Sequence, residues 1–379
     1  MGNLVIRRIG KEEFLSQEFR KAWEELADNA SFYDSGLSYT WVSTWWNFFS
    51  GYGLGKKDLF VLAFGNGGRI EGIAPMMRRR MFRLRILELI GQSGGATTDY
   101  TGFVIREGSS GAFFTALYGY LLENRKEWDI LSVVVPEEPD LFSDQVREIV
   151  ALHLKKQLRY RVSVRDNYSR IGLPSTFEEY VQGLGRRTRT DLRQYLRIAD
   201  SPEVKFEILQ GEAMKSGFGD LVSLNRGNWG YFNEDAIRKF YEAEVEGTGP
   251  GDAHPFLARL TAGNEPVAMV QGFIHRSRCF LHTSGVKRQT VMGIAPGLTL
   301  YGFLIRELIG RGCRSVDLSP GLEEYKLRMG IRIHPLMQVE AFTSVMTMNY
   351  YFVIKFLRKA YRSLAFPVRS LSRIVRRSS

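Results

Sequence analysis

The chain has 379 residues, 44% hydrophobic and 13% aromatic, with a formal net charge of +11. That composition excludes a disordered or fibrous chain, and two cysteines, Cys279 and Cys313, argue against a disulfide framework. No run of about 18 apolar residues is present, which excludes a helical membrane span. The opening residues, MGNLVIRRIGKEEF, hold no signal-peptide apolar run, and Ile6 stands where myristoylation wants Ser or Thr. A cytoplasmic protein is the expectation. The charge is uneven. After Glu340 there is no acid, while Lys355, Arg358, Lys359, Arg362, Arg369, Arg373, Arg376 and Arg377 supply most of the excess. The remainder is near balance, so no general nucleic-acid footprint is expected.

In chain order, residues 3–9 read as a strand and 11–29 as a helix with Phe14, Phe19, Trp23 and Leu26 on one side. A second helix covers 39–49, dense in tryptophan. Strands at 59–64 and 69–79 flank Asn66-Gly67-Gly68, a hairpin signal. A strand at 84–90, a small-residue loop at 91–96, a strand at 100–105, a helix at 111–124, a buried strand at 128–135 and a helix at 140–158 complete the first half. A basic helix at 176–198 bridges the halves. The second half follows with a strand at 204–209, helices at 211–226 and 234–246, and strands at 256–262, 266–274 and 279–285. A helix at 298–310 and strands at 314–318 and 332–342 close it. The two halves share an order of elements without a sequence repeat. This order predicts an α+β fold of mixed sheets flanked by helices. The expected divisions are 1–170, 171–344 and a basic tail, 345–379.

The most informative stretch is 284–330. Gly293, Pro296 and Gly297 punctuate a loop that opens onto a helix. Such a helix N-terminus presents unpaired N–H groups and the positive end of its dipole, a place to hold a pyrophosphate. Pro296 lacks an N–H but suits the first helical turn. A plain capped helix is the alternative. The strand after Gly312 and the Gly321 turn then bring Asp317, Tyr325 and Lys326 nearby.

Ala295-Pro296-Gly297, Gly310/Gly312, Val316-Asp317-Leu318, Gly321 and Tyr325-Lys326 resemble the signature end of CelD/BioF2-like acyltransferases of the GNAT superfamily, related to the Fem peptidyltransferases. Glu71-Gly72-Ile73-Ala74-Pro75, Asp99-Tyr100-Thr101 and Glu265-Pro266-Val267-Ala268 extend the likeness over roughly residues 35–342. No piece is specific alone; order and spacing carry the resemblance. Ser319-Pro320 stands where many relatives have a more Gly-rich turn. The resemblance implies two tandem GNAT-like domains, no permanently bound cofactor and acyl-CoA as co-substrate. It implies transfer of an acyl group to an amine or hydroxyl of a sugar, or of a cell-envelope or exopolysaccharide precursor. Arg288, Gly293, Ala295, Gly297 and Leu298 would bind the cofactor. Alternatives are a Fem-like transferase fed by aminoacyl-tRNA and a non-catalytic binding component of an exopolysaccharide apparatus.

Acyl transfer needs a base for the amine, donors for the growing oxyanion and an acid for the thiolate. A backbone N–H within 279–285 would serve the oxyanion. Asp317 and His282 are the leading base candidates, with Glu323 and Glu324 near; each of the first two could equally be structural. Tyr325 could protonate the thiolate or fill the core. Lys326 could meet a phosphate or be a solvated surface lysine. Arg186, Arg189, Arg193 and Arg197 share a helix face that could guide an anionic acceptor, or simply face water. Arg78, Arg79, Arg80, Arg83 and Arg85 make a second basic patch, and Asp99-Tyr100 is a candidate lining for a first-half cleft. No metal-ligand spacing and no serine-nucleophile elbow occur. Tyr350, Tyr351, Ile354, Leu357, Tyr361 and Leu364 recur at helical spacing among basic residues. That pattern fits a helix lying at the inner face of an anionic membrane, or one packed on the protein.

Overall fold

The computed structural model describes residues 5–52, 56–66, 68–98, 100–155, 157–228, 231–247, 255–358 and 360. Thirteen strands join into one sheet: β1 (Val5–Arg8), β2 (Lys57–Asn66), β3 (Arg69–Met81), β4 (Leu84–Leu89), β5 (Val104–Ile105), β6 (Ile130–Pro136), β7 (Arg159–Gly172), β8 (Val204–Leu209), β9 (Pro255–Ala262), β10 (Glu265–His275), β11 (Arg278–Val286), β12 (Ser315–Pro320) and β13 (Arg332–Phe342). Their order is β1-β2-β3-β4-β6-β13-β7-β12-β11-β10-β9-β8, with β5 paired to β3. The halves exchange their last strands. β7, which follows the first half in sequence, pairs with β12 of the second; β13, the last strand, pairs with β6 of the first. β7 and β13 are themselves antiparallel neighbours, Arg159–Arg170 lying along Arg332–Phe342. Each half thus has three antiparallel strands, then a parallel pair, then an exchanged strand.

The helices are α1 (Lys11–Phe14), α2 (Gln17–Asp28), α3 (Tyr39–Phe49), α4 (Ser110–Glu123), α5 (Asp144–Leu154), α6 (Phe177–Gly183), α7 (Arg186–Ile198), α8 (Glu212–Asn228), α9 (Asp235–Gly247), α10 (Pro296–Gly310) and α11 (Glu324–Arg328). Local chemistry sets their ends. The Ser16 hydroxyl accepts from Phe19 N–H and starts α2, so the helix expected over 11–29 is broken. Leu184 and Gly185 are extended and split the helix expected over 176–198 into α6 and α7. The strand expected over 100–105 shrinks to β5, whose ladder with β3 covers only Val104 and Ile105; Tyr100 and Thr101 lie before it, their side chains bonded to Asp317 and to the Val134 carbonyl. The boundary expected at residue 170 falls inside β7. Gly67 of the hairpin turn, Asp99, and the tail residues 359 and 361–379 lie outside the described residues.

Three apolar cores result. The largest is packed mainly under the first half and includes Trp23, Trp45 and Trp128; a second lies between β9–β12 and α10. The third joins Met81, Leu84, Ile86, Ile130 and Phe342 to Tyr351 and Ile354 of a helix at 345–358. The described part of the tail is therefore packed on the sheet through one of its faces. Among the described residues, no helix is long and apolar enough to cross a membrane.

Candidate active site

The two parallel pairs are built alike and finish differently. β4 and β6 run together over Ile86–Glu88 and Ile130–Ser132, and β11 and β12 over Arg278–Phe280 and Ser315–Asp317. In the first half the space beyond is closed by Gln92, which donates to the Ser132 carbonyl at 2.9 Å and accepts from Val134 N–H at 3.0 Å. In the second half the strands part and leave an open gap. Two features open it. Ser319 adopts φ +66, a left-handed conformation that bends β12 away, and its hydroxyl ties back to the Leu281 carbonyl. β11 also bulges, with His282 and Thr283 set opposite Gln271 alone.

Two cavities meet at this gap. One, about 340 Å³, is lined by Val286, Arg288, Gly297, Leu298, Arg328 and Met329. The other, about 240 Å³, lies between the halves and draws Ser35, Trp41, Thr97 and Thr98 from the first. From the second come Asn225, Tyr241, Glu244, Gln271 and His282. Ser284, Tyr301 and Tyr325 line both. Their hydroxyls form a chain at the junction, with Tyr325 and Ser284 each donating to the Tyr301 oxygen. Burial pushes Tyr301 up to about 12 and Tyr325 higher still, so both phenols keep their protons at neutral pH. The two rings stack at 5.9 Å.

The first cavity opens on the start of α10. Thr299 N–H is the first to find an intrahelical acceptor, at Ala295, and Pro296 has no N–H; Gly297 and Leu298 N–H are the donors left at the helix end. The expected corner over 291–298 is thereby narrowed. Val291 and Ile294 bond to one another across a turn in which Met292 and Gly293 have φ +49 and +79, so their amides are spent internally. Gly293 shapes that turn, and Ala295 caps the helix with an extended backbone. Arg288, Gly297 and Leu298 stay as cavity residues. Arg328, absent from the sequence-based set, joins them, braced by Asp191 at 2.9 Å.

In the second cavity His282 Nε2 lies 2.9 Å from Asp34 Oδ1 and 2.9 Å from Ser35 Oγ. A proton on Nε2 held by the Asp34 carboxylate leaves Nδ1 with a lone pair. Asp34 is wholly buried. It went unnoticed in the sequence because nothing in its spacing connects it with a histidine so far along the chain. Glu244 and Gln271, both buried, approach at 3.4 Å, and Gln271 Oε1 finds no hydrogen-bond donor. A glutamine inside the apolar run of β10 was a legible signal.

The other candidates are placed elsewhere. Asp317 borders neither cavity. It is enclosed between the halves, accepts from Tyr100 and faces Arg170 at 3.5 Å; burial lifts its carboxyl to about 6, against the lowering by Tyr100 and Arg170. Lys326 reaches the second cavity's wall but is buried, donating to the Pro320 carbonyl at 2.8 Å and pairing with Glu323 at 2.8 Å. It staples the loop after β12 and holds no free ammonium for a phosphate. Arg189 and Arg193 bond to Gln182 and Glu178, while Arg186, Arg187 and Arg197 face water. In the second basic patch Arg78, Arg79 and Arg85 are paired with Asp58, Glu88 and Asp129, leaving Arg80 and Arg83 at the surface. Tyr100 is core, not cleft.

A model of the acetyltransferase (GNAT) domain matches residues 186–327, the segment that supplies α10, the parting strands and most of both cavities. No curated protein sequence matches the chain. Among solved structures, FemX superposes with a TM-score of 0.59 at 11% identity, covering 84% of this chain and 95% of its own. The C-terminal domain of a putative lysylphosphatidylglycerol synthetase from Agrobacterium fabrum gives 0.53 at 9% identity, covering 89% and 94%. A conserved protein of unknown function from Bacteroides thetaiotaomicron also gives 0.53, at 10% identity, covering 89% and 100%. These likenesses establish a shared fold across both halves. Residues 186–327 thus carry the likeness to an acetyltransferase (GNAT) domain, and the fold of the whole chain, two alike halves in one sheet, is shared with FemX.

Proposed function

We propose that the chain transfers an acyl group from an acyl-CoA thioester in the α10 cavity to an amine in the cavity between the halves. The observation that carries this is the meeting of the two cavities at Ser284, Tyr301 and Tyr325, where β11 leaves β12 and α10 begins. Gly297 and Leu298 N–H, with Arg288 and Arg328, suit a diphosphate; the apolar wall of Val286 and Met329 suits the thioester arm. Past Phe280 the edge of β11 that faces β12 has no strand partner, and its amides are the oxyanion donors of choice. The amine nitrogen attacks the thioester carbon, His282 takes the nitrogen's proton, the C–S bond breaks, and the departing thiolate accepts a hydrogen bond from Tyr301, whose own proton is not used in the hydroxyl chain and whose oxygen is backed by Tyr325.

The acceptor cavity holds buried Glu244, Gln271 and the Asp34–His282 pair, with Trp41 and Tyr241 around them and no arginine among its described lining. That chemistry favours an amine-bearing group over an anion at the reacting end. An amino sugar or another amine of an envelope or exopolysaccharide precursor fits, with any anionic portion lying outside.

A second reading, an aminoacyl donor carried on tRNA as in the Fem branch, is favoured by Arg186, Arg187 and Arg197, exposed on the helix that packs against α10. Native mass spectrometry with CoA, acetyl-CoA and longer acyl-CoAs separates the two. Saturable acyl-CoA binding with thiol release on adding glucosamine supports the first. Stabilisation by charged tRNA alone supports the second, and binding of none supports a non-catalytic role.

A further inference from the structure

The helix at 345–358 is apolar on two sides. Its inward face carries Tyr351 and Ile354 against the third core. Its outward face carries Met346, Tyr350, Val353 and Leu357, spaced 4, 3 and 4 residues apart, which is a single row on a helix. Met346 is 80% exposed, Val353 54% and Leu357 59%; Phe356, beside the row, is 71% exposed. A helix packed on one face ordinarily turns polar residues to water.

The turn between β3 and β4 lies against this helix. Arg358 places its guanidinium 5.7 Å from the Phe82 ring and donates to Met81 Sδ at 3.5 Å. Phe82 is itself 68% exposed and has φ +55, a backbone conformation for which glycine or asparagine is the unstrained choice. A bulky aromatic is thus held out into solvent at a backbone cost, and nothing in the packing of the turn requires it. Arg80 and Arg83 flank it at the surface. In sequence, Lys359, Arg362, Arg369, Arg373, Arg376 and Arg377 follow with no acid.

We propose that the outward row of helix 345–358 and the Phe82 turn form one docking face for an anionic lipid bilayer, with Phe82, Phe356 and Leu357 entering the headgroup boundary and the surrounding arginines meeting lipid phosphates. Charge selects this occupant. Pairing two copies of the chain through the same face would set Arg80, Arg83 and Arg358 against like charges, whereas anionic headgroups neutralise them. The face is built from different residues than the two cavities, so the proposal stands or falls independently of the acyl donor. It also divides the stripe expected from the sequence: Tyr351 and Ile354 pack on the protein, whereas Tyr350 and Leu357 stand in the outward row.

The test is sedimentation of the full chain with vesicles of phosphatidylcholine, with and without phosphatidylglycerol. Strong binding is expected only with phosphatidylglycerol, weakening as salt rises toward about 0.5 M. The double variant V353E/L357E should lose about tenfold or more in vesicle affinity. F82G should lose vesicle affinity while melting at a higher temperature than the parent, since glycine relieves the turn. Acyl-CoA binding and circular dichroism should be unchanged in both variants. Equal binding to both vesicle types, or unaltered binding by V353E/L357E and F82G, would overturn the proposal. So would a dimer in solution that V353E/L357E dissociates.

Discussion

At the scale of single residues, His282 and Asp317 show how little a residue's type says about its work. Both were candidate bases. His282 lines a cavity and carries a buried carboxylate on its Nε2, whereas Asp317 is enclosed by Tyr100 and Arg170. H282A is expected to lower the amine-dependent rate of thiol release by about 10²–10⁴-fold, the usual contribution of a general base, with acyl-CoA affinity unchanged. D34N should reproduce part of that loss and flatten the pH–rate profile, since it removes the group that fixes the imidazole tautomer. A merely structural Asp34 would alter melting temperature and leave the profile's shape intact. Asp317 acts on stability instead. Its folded-state carboxyl titrates at about 6, raised from 3.8, so folding favours the protonated form. Its stabilising effect is complete below about pH 4 and is lost as pH climbs through 6. At about 1.4 kcal/mol per unit, the parent should lose about 3 kcal/mol relative to D317N between pH 4 and pH 8. Urea unfolding at the two pH values measures it; an equal difference at both would refute the assignment. Residue types at the 284–330 end were readable in the sequence. Their partners were not, because Asp34, Trp41 and Glu244 arrive from elements distant in the chain.

At the scale of elements, the proposed reaction puts its donor side on α10 and its acceptor side on β11. The Pro296 start of α10 was legible, since proline in the first turn is a chain-local signal. The spending of the Val291 and Ile294 amides on each other was not, because it depends on Met292 adopting φ +49. L298E places a carboxylate at the helix N-terminus, where the diphosphate is expected. It should weaken acyl-CoA binding at least tenfold with only a small change in melting temperature, because an acid in the first turn favours the helix dipole and so offsets the lost contact of the half-buried Leu298 with the second core. Calorimetric titration and a thermal scan decide it. β11 is held by α8 at Gly285, where an added Cβ would lie 2.5 Å from Leu224 Cβ and 2.6 Å from Asn225 N. The second contact is with backbone and cannot swing aside. G285A should therefore cost about 1–3 kcal/mol in urea unfolding and displace the Asn225 side chain that donates to the Ser284 carbonyl. β7 escaped the sequence reading for a related reason. Arg159, Arg161 and Arg165 with Asp166-Asn167 look like a solvated connection, and the strand is only half covered. Its pairing comes from β12 and β13, more than a hundred residues away.

At the scale of the whole molecule, the exchange of β7 and β13 makes one sheet of two halves that the sequence presents as consecutive. Helices and hairpins could be read because their contacts are local. The exchange could not, because nothing in residues 332–342 says which edge they fill. Its consequence is mechanical. β6 is buried along its whole length, Ile130 to Pro136, and β13 covers one of its edges from Leu336 to Phe342. Residues 1–158 alone would expose that edge as an unpaired, apolar run of Ile, Leu and Val, a template for aggregation. The first half expressed alone should collect in the insoluble fraction. Co-expression of residues 159–379 should return it to solution as a complex, since that piece brings both β7 and β13. Scanning calorimetry of the intact chain should correspondingly show one transition, with ligand in the α10 cavity raising the stability of the first-half core as well as the second. Two separate transitions, only one of them moved by acyl-CoA, would mean that the exchanged strands do not couple the halves. The cavity between the halves, whose walls come from both, would then lack the rigidity that the proposed positioning of an amine against a thioester demands.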